Sequence, residues 1–174
     1  MKIAITGACG RIAYALIPRL GEILGDPDSK IDLRLLDVPS MQDKLHGLMM
    51  EIDDCAFPFF DKVIATDQLE TAFADADVAI FLGAMPRKKG MDRRDLFSAN
   101  GAIFKEQGRV LNEVASKEVQ SLVVGNPCNT NAYVLMKNAP SLDPKRFYSM
   151  NMLDQNHFHS LKSNSQQNLV HVHF

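Results

Sequence analysis

The segment Gly7-Ala8-Cys9-Gly10-Arg11-Ile12-Ala13 follows a short apolar run and opens a stretch with helical spacing. Glycines at such a junction let the backbone turn tightly and approach a pyrophosphate, whose charge then meets the free N–H groups of a helix N-terminus. Ala13 is small enough for the helix to pack closely on the strand. The spacing is GxxGxxA rather than GxGxxG, and a tight strand–helix turn can hold two glycines for steric reasons alone. Asp37 adds a second group of the right kind. It ends the next apolar run, where a carboxylate can accept hydrogen bonds from ribose hydroxyls and would repel a 2′-phosphate. The pair therefore favours NAD over NADP. Asp37 lies 27 residues after Gly10, more than the usual interval of about 20, and the turn at residues 25–30 is long enough to account for the excess.

The elements that must position these groups alternate along the chain. Lys2–Thr6 (KIAIT) is apolar and β-branched and reads as a buried strand. Residues 11–20 have helical spacing, with Ile12, Ala15, Leu16 and Leu20 expected on one face and Pro18 expected to kink the helix or cost it a hydrogen bond. A second strand is expected over 31–37 and a helix over 41–54, with Leu45, Leu48, Met49 and Ile52 at helical intervals. Weaker signals mark a strand at 63–65 and a helical patch at 69–74. Residues 78–82 (VAIFL) form an uninterrupted apolar run, as in a strand covered on both faces. The longest helical pattern covers 96–116. A buried strand at 121–124, a helix at 129–137 and a sixth strand at 146–150 complete the order. Alternation of this kind predicts an α/β fold with a six-stranded, doubly wound parallel sheet of Rossmann type.

Composition limits the possible functions. The chain has 174 residues, 46% of them apolar and 23% charged, with a formal net charge of −2. That is the balance of a globular domain with a sizeable core. Lys and Arg (19) are outnumbered by Asp and Glu (21), so no nucleic-acid partner is expected. No window is apolar for the roughly 18 residues a membrane span needs, and the N-terminus carries no secretory signal pattern. Cys9, Cys55 and Cys128 are odd in number and widely spaced, which argues against a disulfide framework or a zinc site and for a reducing, cytoplasmic setting.

Two further segments are more specific. One is Ala84-Met85-Pro86-Arg87-Lys88-Lys89-Gly90-Met91-Asp92-Arg93, and the other is Gly125-Asn126-Pro127-Cys128-Asn129-Thr130-Asn131. Together with Gly7 to Ala13 and Asp37, in this order, they make the chain resemble the NAD-dependent malate dehydrogenases of the cytosolic type, within the lactate/malate dehydrogenase family. The resemblance runs from Lys2 to about Asn156 and covers about half of such an enzyme. It implies that Gly7, Ala8, Cys9, Gly10, Arg11, Ile12, Ala13 and Asp37 hold the dinucleotide, that Asn100 and Gln107 also contact it, and that Val124, Gly125 and Asn126 line its nicotinamide side. Asn126 would also reach substrate, and its bond to Pro127 would be cis. Without the resemblance, Asn100 and Gln107 read as an ordinary polar helix face.

The same resemblance assigns Arg87 and Arg93 to the substrate. A planar guanidinium can grip a carboxylate through two parallel bonds, and a dicarboxylate such as malate or oxaloacetate offers two carboxylates. Pro86 and Gly90 bound a loop suited to closing over a ligand. Lys88, Lys89 and Arg94 read as solvated surface. Lactate dehydrogenases carry a glutamine where Arg87 stands, so Arg87 favours malate, with a lactate dehydrogenase-like 2-hydroxy acid dehydrogenase as the alternative. A homodimer is implied by family membership.

The pattern breaks near the end. Asp154, in Met152-Leu153-Asp154-Gln155-Asn156, matches the aspartate that orients the catalytic histidine. The family's third arginine should follow, and His157 stands there instead. The catalytic histidine itself would lie beyond position 174, so the second, catalytic domain is expected to be largely missing. Residues 1–156 are thus the dinucleotide-binding domain with the start of the catalytic region. Residues 157–174, which hold four of the five histidines and no Asp, Glu, Gly, Ala or Pro, are expected to be a disordered, non-family tail. A frameshift, an unspliced intron or a truncated gene would each produce such a break. The chain alone is expected to bind NAD without turnover, or to act as a nucleotide-binding or subunit-interaction fragment. His157-Phe158-His159 and His171-Val172-His173 could pair imidazoles on a strand face, but no acid lies nearby to support a metal, and none is assigned.

Overall fold

The computed structural model describes residues 1–24, 30–85, 90, 92–151 and 156. Six parallel strands carry the fold: β1 (Lys2–Thr6), β2 (Ile31–Leu36), β3 (Phe60–Thr66), β4 (Val78–Phe81), β5 (Gln120–Val123) and β6 (Phe147–Ser149). Between them lie α1 (Arg11–Leu24), α2 (Gln42–Asp54), α3 (Leu69–Phe73), α4 (Arg93–Val114) and α5 (Cys128–Lys137). The strand order is β3-β2-β1-β4-β5-β6. The order reverses between β1 and β4, and in an open sheet the crevice for a ligand lies outside the strand ends at that reversal.

Period-two alternation divides the core between the two faces of the sheet. Ile3, Ile5, Leu33, Leu35 and Ile80 pack with Ile17, Leu20, Leu45 and Ile52 of α1 and α2. Ala4, Ala79, Phe81 and Val123 pack on the other face with Phe73, Phe104, Leu111 and Leu135. The expected burial of β4 on both faces is met, since Ala79, Ile80 and Phe81 are all buried. The register Ile3↔Val78 and Ile5↔Ile80 sets the ends of β1 and β4 side by side.

Several boundaries differ from expectation for physical reasons. The β3 strand begins three residues before residue 63, because Phe60, Asp61 and Lys62 pair along a sheet edge whose exposed positions tolerate charge. Helix α1 continues through Pro18 to Leu24, although proline supplies no N–H to the ladder. Its buried stripe is Ala13, Ile17, Leu20 and Gly21; of the expected face Leu20 is buried and Leu16 packs partly buried against the core, whereas Ile12 and Ala15 are exposed. Ile12 is 59% exposed, because the tight turn before the helix aims Ala13 at the sheet. Helix α4 starts at Arg93, three residues before the apolar periodicity. Asp154 and the tail at 157–174, including both His-x-His pairs, lie outside the described residues. Among the described residues no helix is long and apolar enough to cross a membrane.

Candidate dinucleotide site

Gly7 has φ +67, in the left-handed region that glycine enters without strain. A Cβ built there would lie 2.6 Å from the Gly83 backbone just past β4, so a side chain would separate the two strand ends. Gly10 N–H donates to Gly7 O at 3.0 Å, and Tyr14 N–H to Gly10 O at 3.1 Å, the bond that starts α1. The N–H groups of Arg11, Ile12 and Ala13 precede the helical ladder, as the first donors of any α-helix do. They point to where an anion would sit.

Asp37 follows β2 directly and reaches back to this loop. Its Oδ2 accepts from Cys9 N–H at 2.8 Å and its Oδ1 from Val38 N–H at 2.9 Å. Each carboxylate oxygen keeps a further lone pair, so the group can still receive ribose hydroxyls. Gln42 Nε2 donates to Asp37 O at 3.1 Å and steadies the same corner. Cys9 sits between these groups. Its thiol is pushed up to about 11, first by loss of solvent and then by the Asp37 carboxylate, and it stays protonated at neutral pH.

The strands on the other side of the crevice supply the remaining predicted residues. Val124 and Gly125 both donate N–H to Phe81 O, at 2.9 and 3.1 Å, which ties the end of β5 to the end of β4. A Cβ on Gly125 would lie 2.9 Å from that of Ala84, so the backbone is bare where a flat ring could lie against it. Asn126 is exposed, and its bond to Pro127 is cis, as expected. Asn131, from the same motif, was not singled out by sequence. It is buried, and its Nδ2 donates to Gly125 O at 2.9 Å, which fixes the Gly125 carbonyl.

The long helix places its two predicted residues differently. Asn100 is fully buried, with Oδ1 accepting from Met85 N–H at 2.7 Å and Nδ2 reaching Met85 O at 3.4 Å. Its amide holds the segment leading out of β4. Gln107 lies two turns further along α4, 7% exposed, with Oε1 buried and without a partner, an acceptor still to be satisfied. Arg87 lies outside the described residues. Arg93 opens α4, and its side chain is likewise outside them.

The residues present fit a dinucleotide: a backbone cradle that a Cβ at Gly7 would fill, a helix start behind it, and an acid at the end of β2. Residues 1–148 match the family of lactate/malate dehydrogenase NAD-binding domains. Among solved structures, the malate dehydrogenase of Naegleria fowleri is 41% identical, with a TM-score of 0.86 over 90% of this chain and 48% of its own. The lactate dehydrogenase of Trichomonas vaginalis in complex with NADH and oxamate is 40% identical, with a TM-score of 0.82 over 95% of this chain and 50% of its own. An apo form of that enzyme with one leucine-to-arginine substitution is 42% identical, with a TM-score of 0.85 and the same coverage. The chain spans about half the length of these relatives. This chain belongs to the lactate/malate dehydrogenase family and forms its NAD-binding domain.

Proposed function

We propose that the chain is the dinucleotide-binding half of an NAD-linked malate dehydrogenase, interconverting malate and oxaloacetate when the second half of the family fold is present. The observation that carries the choice of substrate is Arg87, which in sequence falls between the end of β4 and Arg93, the first residue of α4. The solved relatives include malate and lactate dehydrogenases at nearly equal identity, so overall similarity does not choose between them. A guanidinium available for a second carboxylate supports the malate reading. A lactate dehydrogenase-like activity is the second reading, and it needs no cation at this position.

In this reading the residues divide the work. The α1 N-terminus and the turn at Gly7 to Gly10 receive the pyrophosphate, and Asp37 the adenosine ribose. Val124, Gly125 and Asn126 present backbone and amide to the nicotinamide side. Arg87 and Arg93 orient the two carboxylates, and Asp154 would position a histidine from the second half to exchange a proton with the substrate oxygen. Bound NAD supplies the hydride acceptor. The three cysteines are free, which suits a reducing cytoplasm, and pairing of two copies would follow the family. The 174 residues alone would bind NADH and turn nothing over, because a positioned general acid or base typically contributes roughly 10²–10⁴-fold.

The test uses a version extended through the second half of the family fold. It is expected to reduce oxaloacetate in preference to pyruvate. Arg87→Gln is expected to lower kcat/KM for oxaloacetate by on the order of 10²–10³-fold, since truncating one member of a desolvated charge pair costs roughly 2–5 kcal/mol. Pyruvate activity should rise in the same variant. Unchanged oxaloacetate kinetics would remove Arg87 from the site and leave the lactate-type reading.

A further inference from the structure

Three consecutive peptide groups of the pyrophosphate loop are each held from the β2–α2 side. Ala8 N–H donates to Leu36 O at 3.2 Å. Cys9 N–H donates to Asp37 Oδ2 at 2.8 Å. Cys9 O accepts from Lys44 Nζ at 2.9 Å. The Cys9 thiol also donates to Met41 O at 3.6 Å. The first two holds come from β2 and its terminal acid, whose role the family reading already includes. The third comes from an exposed lysine in the first turn of α2, 35 positions away in sequence, to which no role has been given.

Lys44 acts on a peptide that matters. The Cys9 carbonyl and the Gly10 N–H belong to one planar unit, so fixing one end fixes the direction of the other. At the far end, Gly10 N–H is engaged by Gly7 O at 3.0 Å. With the carbonyl drawn toward α2, no carbonyl oxygen of this unit faces the start of α1, where the pyrophosphate charge is received. A rotation of this peptide would place a carbonyl dipole against that anion. Lys44 also brings a positive charge to the loop without competing for the Asp37 carboxylate, whose bonds go to Cys9 and Val38.

We infer that Lys44 is a positioning residue for the dinucleotide, latching the Cys9–Gly10 peptide of the pyrophosphate loop through the Cys9 carbonyl. The inference rests on the reading of this loop as the NAD site. The latch itself is a property of the free protein. It can therefore be read without ligand, through access to the neighbouring Cys9 thiol.

The experiment compares the 174-residue chain with Lys44→Met and Lys44→Arg. NADH affinity is measured by fluorescence titration, and alkylation of Cys9 by iodoacetamide is measured by peptide-resolved mass spectrometry. Lys44→Met is expected to weaken NADH binding roughly threefold to tenfold, the range for loss of one net hydrogen bond, and to speed Cys9 alkylation as the loop loosens. Lys44→Arg keeps the donor and the charge, and is expected to stay within about twofold of the parent in both measurements. The alkylation arm separates a latch from a bare charge. Loss of a nearby cation alone makes the thiol harder to ionise and slows alkylation, so weaker NADH binding with slower alkylation would overturn the inference. So would faster alkylation with unchanged NADH affinity, or no change in either. If the parent chain bound no NADH while Lys44→Met still freed Cys9, the latch would stand and the assignment of the loop to NAD would fall.

Discussion

Asn100 Oδ1 accepts the N–H of Met85 at 2.7 Å, from a side chain with no solvent exposure. The family resemblance marks Asn100 as a cofactor contact, and the structure shows its amide engaged with the backbone that leaves β4. An effect of Asn100 on ligand binding would thus pass through the course of that segment.

Replacing Asn100 by Ala is expected to lower stability by about 1–3 kcal/mol, the cost of leaving a partner group unsatisfied and a small void behind. Asn100→Asp keeps an acceptor for Met85 N–H but sets a charge against Met85 O, and is expected to be worse than Ala near neutral pH. Urea unfolding of the three proteins gives the order directly. Equal stability of all three would mean that the amide contributes nothing to holding the segment.

Asp37 has two tasks in one carboxylate, so its removal should show two effects. Asp37→Ser is expected to narrow the preference for NADH over NADPH, because the charge opposing a 2′-phosphate is gone. It should also weaken NADH itself, because Cys9 N–H loses its acceptor. Titration of both nucleotides against parent and variant separates the two. Equal or tighter NADPH binding by the parent chain would show that Asp37 does not face the ribose.

The thiol of Cys9 gives a pH signature. With its pKa raised to about 11, only about 0.1% is thiolate at pH 8 by simple titration. Alkylation of Cys9 should therefore be slow at neutral pH and rise about tenfold per pH unit up to roughly pH 11. The exposed Cys55 is expected to react first at pH 8. A Cys9 rate that levels off below pH 9 would show that the thiol is not shielded by the loop and Asp37.

Two glycines on one helix test packing in opposite directions. A Cβ on Gly101 meets nothing within 4 Å, whereas one on Gly108 would lie 2.6 Å from Leu135 O of α5. Gly101→Ala is expected to stabilise the fold by about 0.5–1 kcal/mol through helix propensity. Gly108→Ala is expected to destabilise it by about 1–3 kcal/mol by forcing α4 and α5 apart. Thermal melts that shift the same way for both would show that the two helices do not meet at Gly108.

The strands were legible because central parallel strands are buried on both faces and leave apolar runs, as at 78–82. The edge strand β3 was seen only at its centre, since Asp61 and Lys62 hide its start. The buried stripe of α1 was read correctly at Leu20 but one residue early at its start, at Ile12 in place of Ala13, because the helix phase is set by the Gly7 turn, which periodicity does not record. In the candidate site, the glycines and the acid after β2 stood out because the chemistry expected there dictates their residue types, and the structure brings them together. Lys44 and Asn131 were not. Each acts on a backbone carbonyl, Lys44 on one 35 positions away and Asn131 on one six positions before it, and no spacing of residue types in the chain marks a bond between a side chain and a peptide group.

Gly7 and Gly83 meet backbone to backbone, and Thr6 O accepts from both Leu82 and Gly83 at 3.2 and 3.1 Å. No side chain lies between these turns to act as a cushion. A displacement of the loop at Gly7 cannot be absorbed by a change of rotamer, and passes directly into the stretch from Gly83 to Met85. That stretch leads into the segment containing Arg87. A nucleotide seated on this loop would thereby bear, through bare main chain, on the course of the backbone from Gly83 to Met85.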